Sequence, residues 1–184
     1  MICSAVPFPG KSTALLLALF IGLLCTNPVS AKNAPKSITV IDSALADSAR
    51  LKNKVVYVDF WASWCVPCQK SLPWMKRLLD KYSKTGLQIV AVNVDKKPAA
   101  GRALLEQLNS PLQMVTDSAV SWKRLSNSVL FDSTWSLAKI YDLEALPTSF
   151  IYARDGNLRR QHQGFEEKDT LYLDSLLNSL LSEK

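Results

Sequence analysis

A predicted strand that runs directly into a pair of cysteines constrains this chain more than any other feature. Residues 54–60, Lys-Val-Val-Tyr-Val-Asp-Phe, are mostly apolar and rich in β-branched and aromatic side chains, which is typical of a strand buried on both faces. Cys65 and Cys68 follow, separated by Val66 and Pro67. Apolar residues then recur at helical spacing to about residue 84, before Gly86 ends the helix. The sequence therefore predicts a strand, a short turn and a helix that begins at the cysteines.

The remaining elements alternate in type along the chain. We predict a helix capped by Asp42 or Ser43 and reaching Leu51, strands over 87–94, 148–153 and 158–163, and helices over 98–108 and 166–181. The pair Asp155-Gly156 predicts a hairpin turn between the last two strands. This order indicates an α/β fold with a central mixed β-sheet flanked by helices on both faces.

The first 31 residues have the pattern of a targeting segment. Lys11 precedes an apolar run over 13–25, and Val29 and Ala31 provide small residues at a cleavage site. The apolar run is shorter than the roughly 20 residues that span a bilayer. We therefore predict a signal peptide or an uncleaved N-terminal anchor at 1–31, a flexible lead-in at 32–37, and one domain at 38–184 with an insertion near 110–128.

Cleavage after Ala31 leaves only two of the four cysteines in the mature chain, because Cys3 and Cys25 lie in the targeting segment. In an oxidising compartment such a pair is either a redox-active dithiol or a small structural staple. The helix start and the intervening proline favour the dithiol. We predict no metal site, since Cys65 and Cys68 supply two ligands and His162 is the sole histidine. His162 is predicted to be a surface residue on an edge strand.

The charge of the chain argues against nucleic acid as a partner. The formal net charge is +6, but the basic residues are scattered and no aromatic side chains interleave them. A solvated surface accounts for them.

The chemistry expected of the cysteine pair follows from its place at a helix start. Only a thiolate attacks a disulfide, and the free N–H groups and positive dipole end of a helix stabilise a thiolate. We predict that Cys65 is the exposed nucleophile and that Cys68, one turn further on and shielded, resolves the mixed disulfide. Pro67 suits an early helical position. Asp59, near the end of a buried strand, is predicted to exchange a proton with Cys68 because burial raises a carboxyl pKa.

Residues 58–68, Val-Asp-Phe-Trp-Ala-Ser-Trp-Cys-Val-Pro-Cys, resemble the active-site strand and motif of thioredoxins. Pro73 matches the kink proline of the helix in that family, and Leu146-Pro147-Thr148 resembles its cis-proline loop. The resemblance implies a thioredoxin-like fold and a cis Pro147. It also implies that Leu146 offers backbone hydrogen bonds to an extended substrate. Trp64 flanks Cys65, and from this position we predict that it offers an apolar contact to a partner.

Further matches at 131–132, 138–141 and 164–165 resemble the bacterial TlpA/ResA/DsbE-type exported branch. That branch often carries a glutamate where this chain has Ser71, and thioredoxin has a buried lysine where this chain has Ala91. The resemblance implies a periplasmic thiol–disulfide oxidoreductase whose only redox group is the Cys65–Cys68 disulfide, with no further cofactor. It implies a reductase of disulfide-containing client proteins, recharged by a membrane thiol donor. A disulfide-forming oxidase or isomerase is one alternative, and a non-catalytic thioredoxin-like binding module is another.

Overall fold

The computed structural model describes residues 34–45, 51–108 and 129–183. The predicted targeting segment at 1–31 and the predicted insertion near 110–128 lie outside these residues. The described elements are α1 Thr39–Ala44, β1 Val55–Trp61, α2 Val66–Tyr82, β2 Leu87–Asn93, α3 Pro98–Leu108, β3 Val129–Phe131, α4 Ser136–Ile140, β4 Thr148–Tyr152, β5 Leu158–Gln163 and α5 Asp169–Ser182.

The described strands form one mixed sheet in the order β3-β2-β1-β4-β5. β1 pairs parallel with β2, β2 pairs parallel with β3, and the β1–β4 and β4–β5 pairs are antiparallel. All seven residues of β1 are buried, as expected for a strand covered on both faces. The predicted α/β fold with a central mixed sheet is confirmed.

Helices cover both faces of this sheet. On one face, the Tyr57 ring of β1 lies 5.8 Å from the Trp74 ring of α2. An ion pair of 2.7 Å between Lys81 of α2 and Asp174 of α5 brings α5 to the same face. On the other face, the Phe60 ring lies 4.9 Å from the ring of Tyr141, which caps α4. Successive residues of a strand point to opposite faces, so this alternation along β1 separates the two helical layers.

The parallel strands bring several loops to one edge of the sheet. β1 ends at Trp61, β2 ends at Asn93 and β3 ends at Phe131, and their paired registers align these ends. The loops that follow carry the two cysteines, Asp95 and Asp132. In open α/β sheets this carboxyl edge is where ligands bind.

The opposite edge is held by Arg154, two residues after the end of β4. Its guanidinium donates hydrogen bonds to the carbonyls of Asn53, Thr85 and Leu181 at 3.1, 2.9 and 3.0 Å. These carbonyls belong to the turn before β1, the end of the 3-10 turn after α2, and the last turn of α5. Gly86 ends that 3-10 turn with φ +107°, and a side chain there would stand 2.9 Å from Arg154.

The first and last helices differ from their predicted bounds. α1 starts at Thr39, not near Asp42, because the Ile38 N–H bonds to the Gly156 carbonyl at 2.9 Å and Ile41 packs wholly into the core. α5 starts at Asp169, later than predicted, because the Asp169 carboxylate accepts the Glu166 N–H at 2.8 Å and so holds a turn ahead of the helix. Helix α2 is one continuous helix that includes Pro73.

Strand β3 has no predicted counterpart. It is three residues long, which is too short to express a period in the sequence. Across the part of the chain that the structure describes, none of the helices has the length and apolarity needed to cross a membrane.

Candidate active site

Cys65 and Cys68 form a disulfide at the start of α2, with their Cα atoms 5.2 Å apart. Cys65 is the N-cap residue, and its backbone is extended at φ −86° and ψ 105°. Its Sγ accepts a hydrogen bond of 3.3 Å from the Cys68 N–H. Pro67 lies in the first turn, where a missing N–H breaks no helical hydrogen bond. In the reduced protein, the same N–H and the helix dipole stabilise a thiolate at Cys65.

The two sulfurs differ in their access to solvent. Cys68 is fully buried, whereas Cys65 is 5% exposed. Cys65 is therefore more covered than its predicted role as an exposed nucleophile suggested, because Trp64, Pro67 and the loop at Leu146 surround it. Its exposed part faces a groove, so a partner reaches Cys65 and not Cys68. Trp64 and Val66 beside it are each 63% exposed.

The groove at Cys65 has a volume of about 320 Å³. Its lining combines both sides of the site: Trp64, Cys65, Pro67, Trp135, Leu143, Glu144, Ala145 and Leu146. The Leu146–Pro147 peptide bond is cis, as the resemblance implied. The Pro147 carbonyl accepts the Gly164 N–H at 2.8 Å, which fastens this loop to the end of β5. The structure thus brings Cys65 and Leu146 together in one groove.

Asp59 is a buried acid on the face of β1 that α2 covers. Its Oδ2 has no hydrogen-bond partner among the described residues, and burial raises its pKa well above the usual value of an aspartate. Ala91 stands directly opposite on β2 and Ser149 on β4. Because a methyl group stands at the Ala91 position, no cation offsets the cost of ionising Asp59 from that side. Burial thus increases the proton affinity of this carboxyl, which is the direction that a proton acceptor needs.

The residue at position 71, which contacts Cys68, is an uncharged serine. Ser71 is buried, and its hydroxyl donates to the Cys68 carbonyl at 3.1 Å.

Burial is the main cause that raises the pKa of the Tyr57 hydroxyl well above its usual value, and the nearby charge of Asp59 is the second. Tyr57 is therefore neutral at any physiological pH.

A polar network behind the active-site turn was missed from the sequence. Asp95, buried just after β2, accepts hydrogen bonds from the N–H and the hydroxyl of Ser63, and a third from the Asn93 amide at 2.8 Å. Gln69 in turn donates to the Ser63 carbonyl at 2.9 Å. Ser63 is two residues before Cys65, so this network fixes the approach to the nucleophile. The sequence does contain one indication of this network, because Asp95 is an acidic residue that directly follows the strand predicted over 87–94.

Trp135 is a second residue that the sequence did not single out. It lies beside Trp64 in the groove and has φ +61°, a conformation that side chains rarely adopt. The buried Asp132 carboxylate holds the chain on either side of it by accepting the N–H groups of Ser136 and Ala138 at 2.8 and 2.9 Å. No sequence pattern predicts a tryptophan in this conformation.

His162 lies on the edge strand β5, as predicted, but it is less open than a free surface residue. Its side chain is 17% exposed and its Nε2 lies 3.3 Å from the Asp169 carboxylate. Among residues 34–45, 51–108 and 129–183, no cluster of three or more histidine, cysteine or acidic side chains is arranged to hold a metal ion.

A cysteine pair at a helix start, a cis-proline loop opposite and a mixed sheet beneath them define a protein-disulfide oxidoreductase with a thioredoxin-like fold. The chain belongs to the Redoxin family, whose model matches residues 30–178.

Individual relatives agree with this assignment. The chain is 28% identical over 141 residues to the thiol-disulfide oxidoreductase ResA of Bacillus thuringiensis, covering 76% of this chain and 73% of that protein. A solved structure from Chlorobium tepidum, described as thiol:disulfide interchange protein DsbE, is 34% identical with a TM-score of 0.62, covering 73% of this chain and 84% of that one. The exposed lipoprotein thioredoxin Etrx1 of Streptococcus pneumoniae is 26% identical with a TM-score of 0.53, covering 72% of this chain and 89% of that one. The resemblance to the TlpA/ResA/DsbE type is confirmed.

Proposed function

We propose that this protein is exported and reduces disulfide bonds in client proteins outside the cytoplasm, with the Cys65–Cys68 dithiol as its only redox group. The proposal is supported by the different accessibility of the two sulfurs. Cys65 faces the groove, and Cys68 is fully buried one helical turn behind it. A client sulfur in the groove therefore meets Cys65 first.

The exchange proceeds in two balanced steps. The Cys65 thiolate attacks one sulfur of the client disulfide, so that a Cys65–client disulfide forms and the first client sulfur leaves as a thiolate. Cys68, deprotonated, then attacks Cys65 Sγ, and the second client sulfur leaves. Two electrons pass to the client, and the protein is left with the Cys65–Cys68 disulfide.

Asp59 is the proposed acceptor of the Cys68 proton in the second step. It occupies the β1 face that α2 covers, and burial, which raises its pKa, increases its affinity for that proton. Trp64, Leu146 and Pro147 are the proposed client-binding residues, because Trp64 and Leu146 line the groove and Pro147 fixes the loop.

Export and recharging are further parts of the proposal. The pattern of residues 1–31 supports export to the periplasm, either with cleavage or with the segment retained as an anchor. A relative named as an exposed lipoprotein thioredoxin also supports a location outside the cytoplasm. Each catalytic cycle consumes the dithiol, so a reductant must restore it, and the proposed reductant is a membrane thiol donor.

The reduction potential of the Cys65–Cys68 couple tests the direction of electron flow. The protein is equilibrated with glutathione or dithiothreitol buffers, and its free thiols are then alkylated and counted. A potential near roughly −270 mV supports the reductase, whereas one near roughly −120 mV makes the protein an oxidant. Full biological function in the Cys65→Ser variant would instead indicate a binding module.

A further inference from the structure

Two grooves meet at a pair of tryptophans beside the disulfide. The first, which we call the cysteine groove, is the 320 Å³ groove that contains Cys65 and Leu146. The second, which we call the lysine groove, has a volume of about 430 Å³ and contains Ser63, Val94, Asp95, Lys96, Lys97 and Ala100. Trp64 and Trp135 line both. An extended segment that crosses the two indoles therefore enters both grooves.

The two grooves carry opposite charges. The cysteine groove contains Glu144, which is exposed. The lysine groove contains Lys96 and Lys97, also exposed, and its one acid, Asp95, is buried and already accepts three hydrogen bonds. The outward charge is thus negative beside Cys65 and positive beyond the tryptophans.

Trp135 is held in place at a conformational cost. A bulky residue at φ +61° is strained and persists only where the surroundings over-determine it. Here the Trp135 N–H bonds to the Asp132 carbonyl, and the Trp135 carbonyl accepts the Lys139 N–H, both at 3.0 Å. Trp135 packs against the hydrophobic core, and it also lines both grooves.

We infer that these grooves select clients by the order of side chains along an extended segment. The client cysteine lies in the cysteine groove with a basic residue near it, facing Glu144. An apolar or aromatic residue then packs on Trp64 and Trp135, and an acidic residue beyond it faces Lys96 and Lys97. This inference rests on the proposed function, because the segment must contain the disulfide that Cys65 attacks.

Peptides of one composition and different order test the inference. Each peptide carries a single cysteine capped as a mixed disulfide with 2-mercaptoethanol. In the matched peptide the order is cysteine, lysine, phenylalanine, glutamate, and in the reversed peptide lysine and glutamate exchange places. Because two exposed charge pairs change sign, we expect kcat/KM for the matched peptide to be about tenfold higher at low salt, and the ratio to shrink at high salt.

Charge reversal in the protein makes the test sharper. The Glu144→Lys variant should lose most of the preference, and Glu144→Lys combined with Lys96→Glu and Lys97→Glu should invert it. The matched control is Glu167→Lys, which reverses an exposed acid outside both grooves. Equal rates for the two peptides with the wild-type protein, or an unchanged preference in the triple variant, would overturn the inference.

Trp135→Gly tests the contribution of the indole to binding. Because the variant loses core packing as well as backbone strain, its denaturant midpoint is measured first and the assays are run where it is fully folded. We expect a several-fold higher KM for the matched peptide, and an unchanged KM in the folded variant would contradict the role of Trp135 in binding. Leu171→Ala, an exposed apolar residue on α5 away from both grooves, is the control.

Reduction of 2-hydroxyethyl disulfide, which is small and uncharged, separates the proposed reductase function from the inference about the order of side chains in clients. If the wild-type protein does not reduce it, the proposed reductase function fails. If the protein reduces it but does not distinguish the two peptides, only the inference about client order fails.

Discussion

The carboxylate of Asp95 accepts two hydrogen bonds from Ser63, one from its backbone N–H and one from its hydroxyl, each 3.0 Å long. The two residues belong to different loops, and the bonds tie the end of β2 to the turn that leads into Cys65. The Asn93 amide provides a third bond to the same carboxylate. The position of the nucleophile therefore depends on a buried acid that lies outside the cysteine motif.

Substitutions in this network should have graded effects. Ser63→Ala removes only the hydroxyl bond, so we expect a loss of about 1 kcal/mol in the free energy of unfolding. Asp95→Asn replaces an acceptor-only group by one whose NH₂ faces other donors, so we expect a loss of about 2–3 kcal/mol. Urea unfolding of the oxidised protein measures both, and Glu167→Gln at an exposed acid is the control. Equal losses for the two variants would contradict the central role of Asp95.

The two cysteines should fail in different ways when each is replaced. Cys65→Ser should abolish client reduction, because the fully buried Cys68 has no contact with the groove. Cys68→Ser should leave the first attack intact and trap a covalent Cys65–client disulfide, since no second sulfur resolves it. Non-reducing gel electrophoresis after mixing with a disulfide-containing protein detects the trapped species. Comparable trapping by Cys65→Ser would mean that the order of attack is reversed.

Asp59→Asn should raise stability and slow the reaction. Because burial raises the Asp59 pKa in the folded state, the folded state binds this proton more tightly than the unfolded chain does. Wild-type stability therefore falls as pH rises from the unfolded-state pKa, about 3.9, through the folded-state pKa. The variant lacks this loss and should be more stable at pH 8, with the difference vanishing near pH 4.

The rate provides the second readout for Asp59. Without an acceptor for the Cys68 proton, we expect client reduction by Asp59→Asn to slow roughly 10- to 100-fold at pH 7. The slowing should diminish at high pH, where Cys68 ionises unaided. Urea unfolding and pH–rate profiles give the two measurements. A variant that is destabilised at pH 8 would show that the buried carboxylate has a favourable partner.

Gly101→Ala tests the packing of α3 against the end of β2. An added Cβ at Gly101 would stand 2.6 Å from the Asn93 amide nitrogen, closer than real side chains approach. Asn93 is buried and bonded to Asp95, so it has little room to move. We expect a loss of about 1–3 kcal/mol in the free energy of unfolding. Ala103→Ser on the exposed face of the same helix is the control and should have no measurable effect.

The elements that local patterns specify were predictable from the sequence. β1 and β2 are continuous apolar runs because both of their faces are buried, and α3 begins at Pro98 as its pattern predicts. The cysteines and the cis-proline loop were found from their motifs. In contrast, the start of α1 depends on a hydrogen bond to the distant Gly156, so the predicted start at a local cap near Asp42 was wrong.

The parts of the site that were missed share a physical cause. Asp95 matters through Ser63, a residue 32 positions earlier in the chain, and only the parallel pairing of β1 and β2 brings the two together. Trp135 adopts a conformation that its side chain disfavours, and the Asp132 network enforces it. Neither relationship is local, so neither appears as a period or a motif.

The burial of Cys68 behind Cys65 also bears on how the reduced protein withstands peroxide. An oxidant that enters the groove meets only Cys65 and converts its thiolate to a sulfenic acid. The Cα atoms of the two cysteines are 5.2 Å apart, so the Cys68 thiol can condense with that acid, releasing water and forming the Cys65–Cys68 disulfide. Oxidation thereby stops at the Cys65–Cys68 disulfide and does not proceed to the irreversible sulfinic acid.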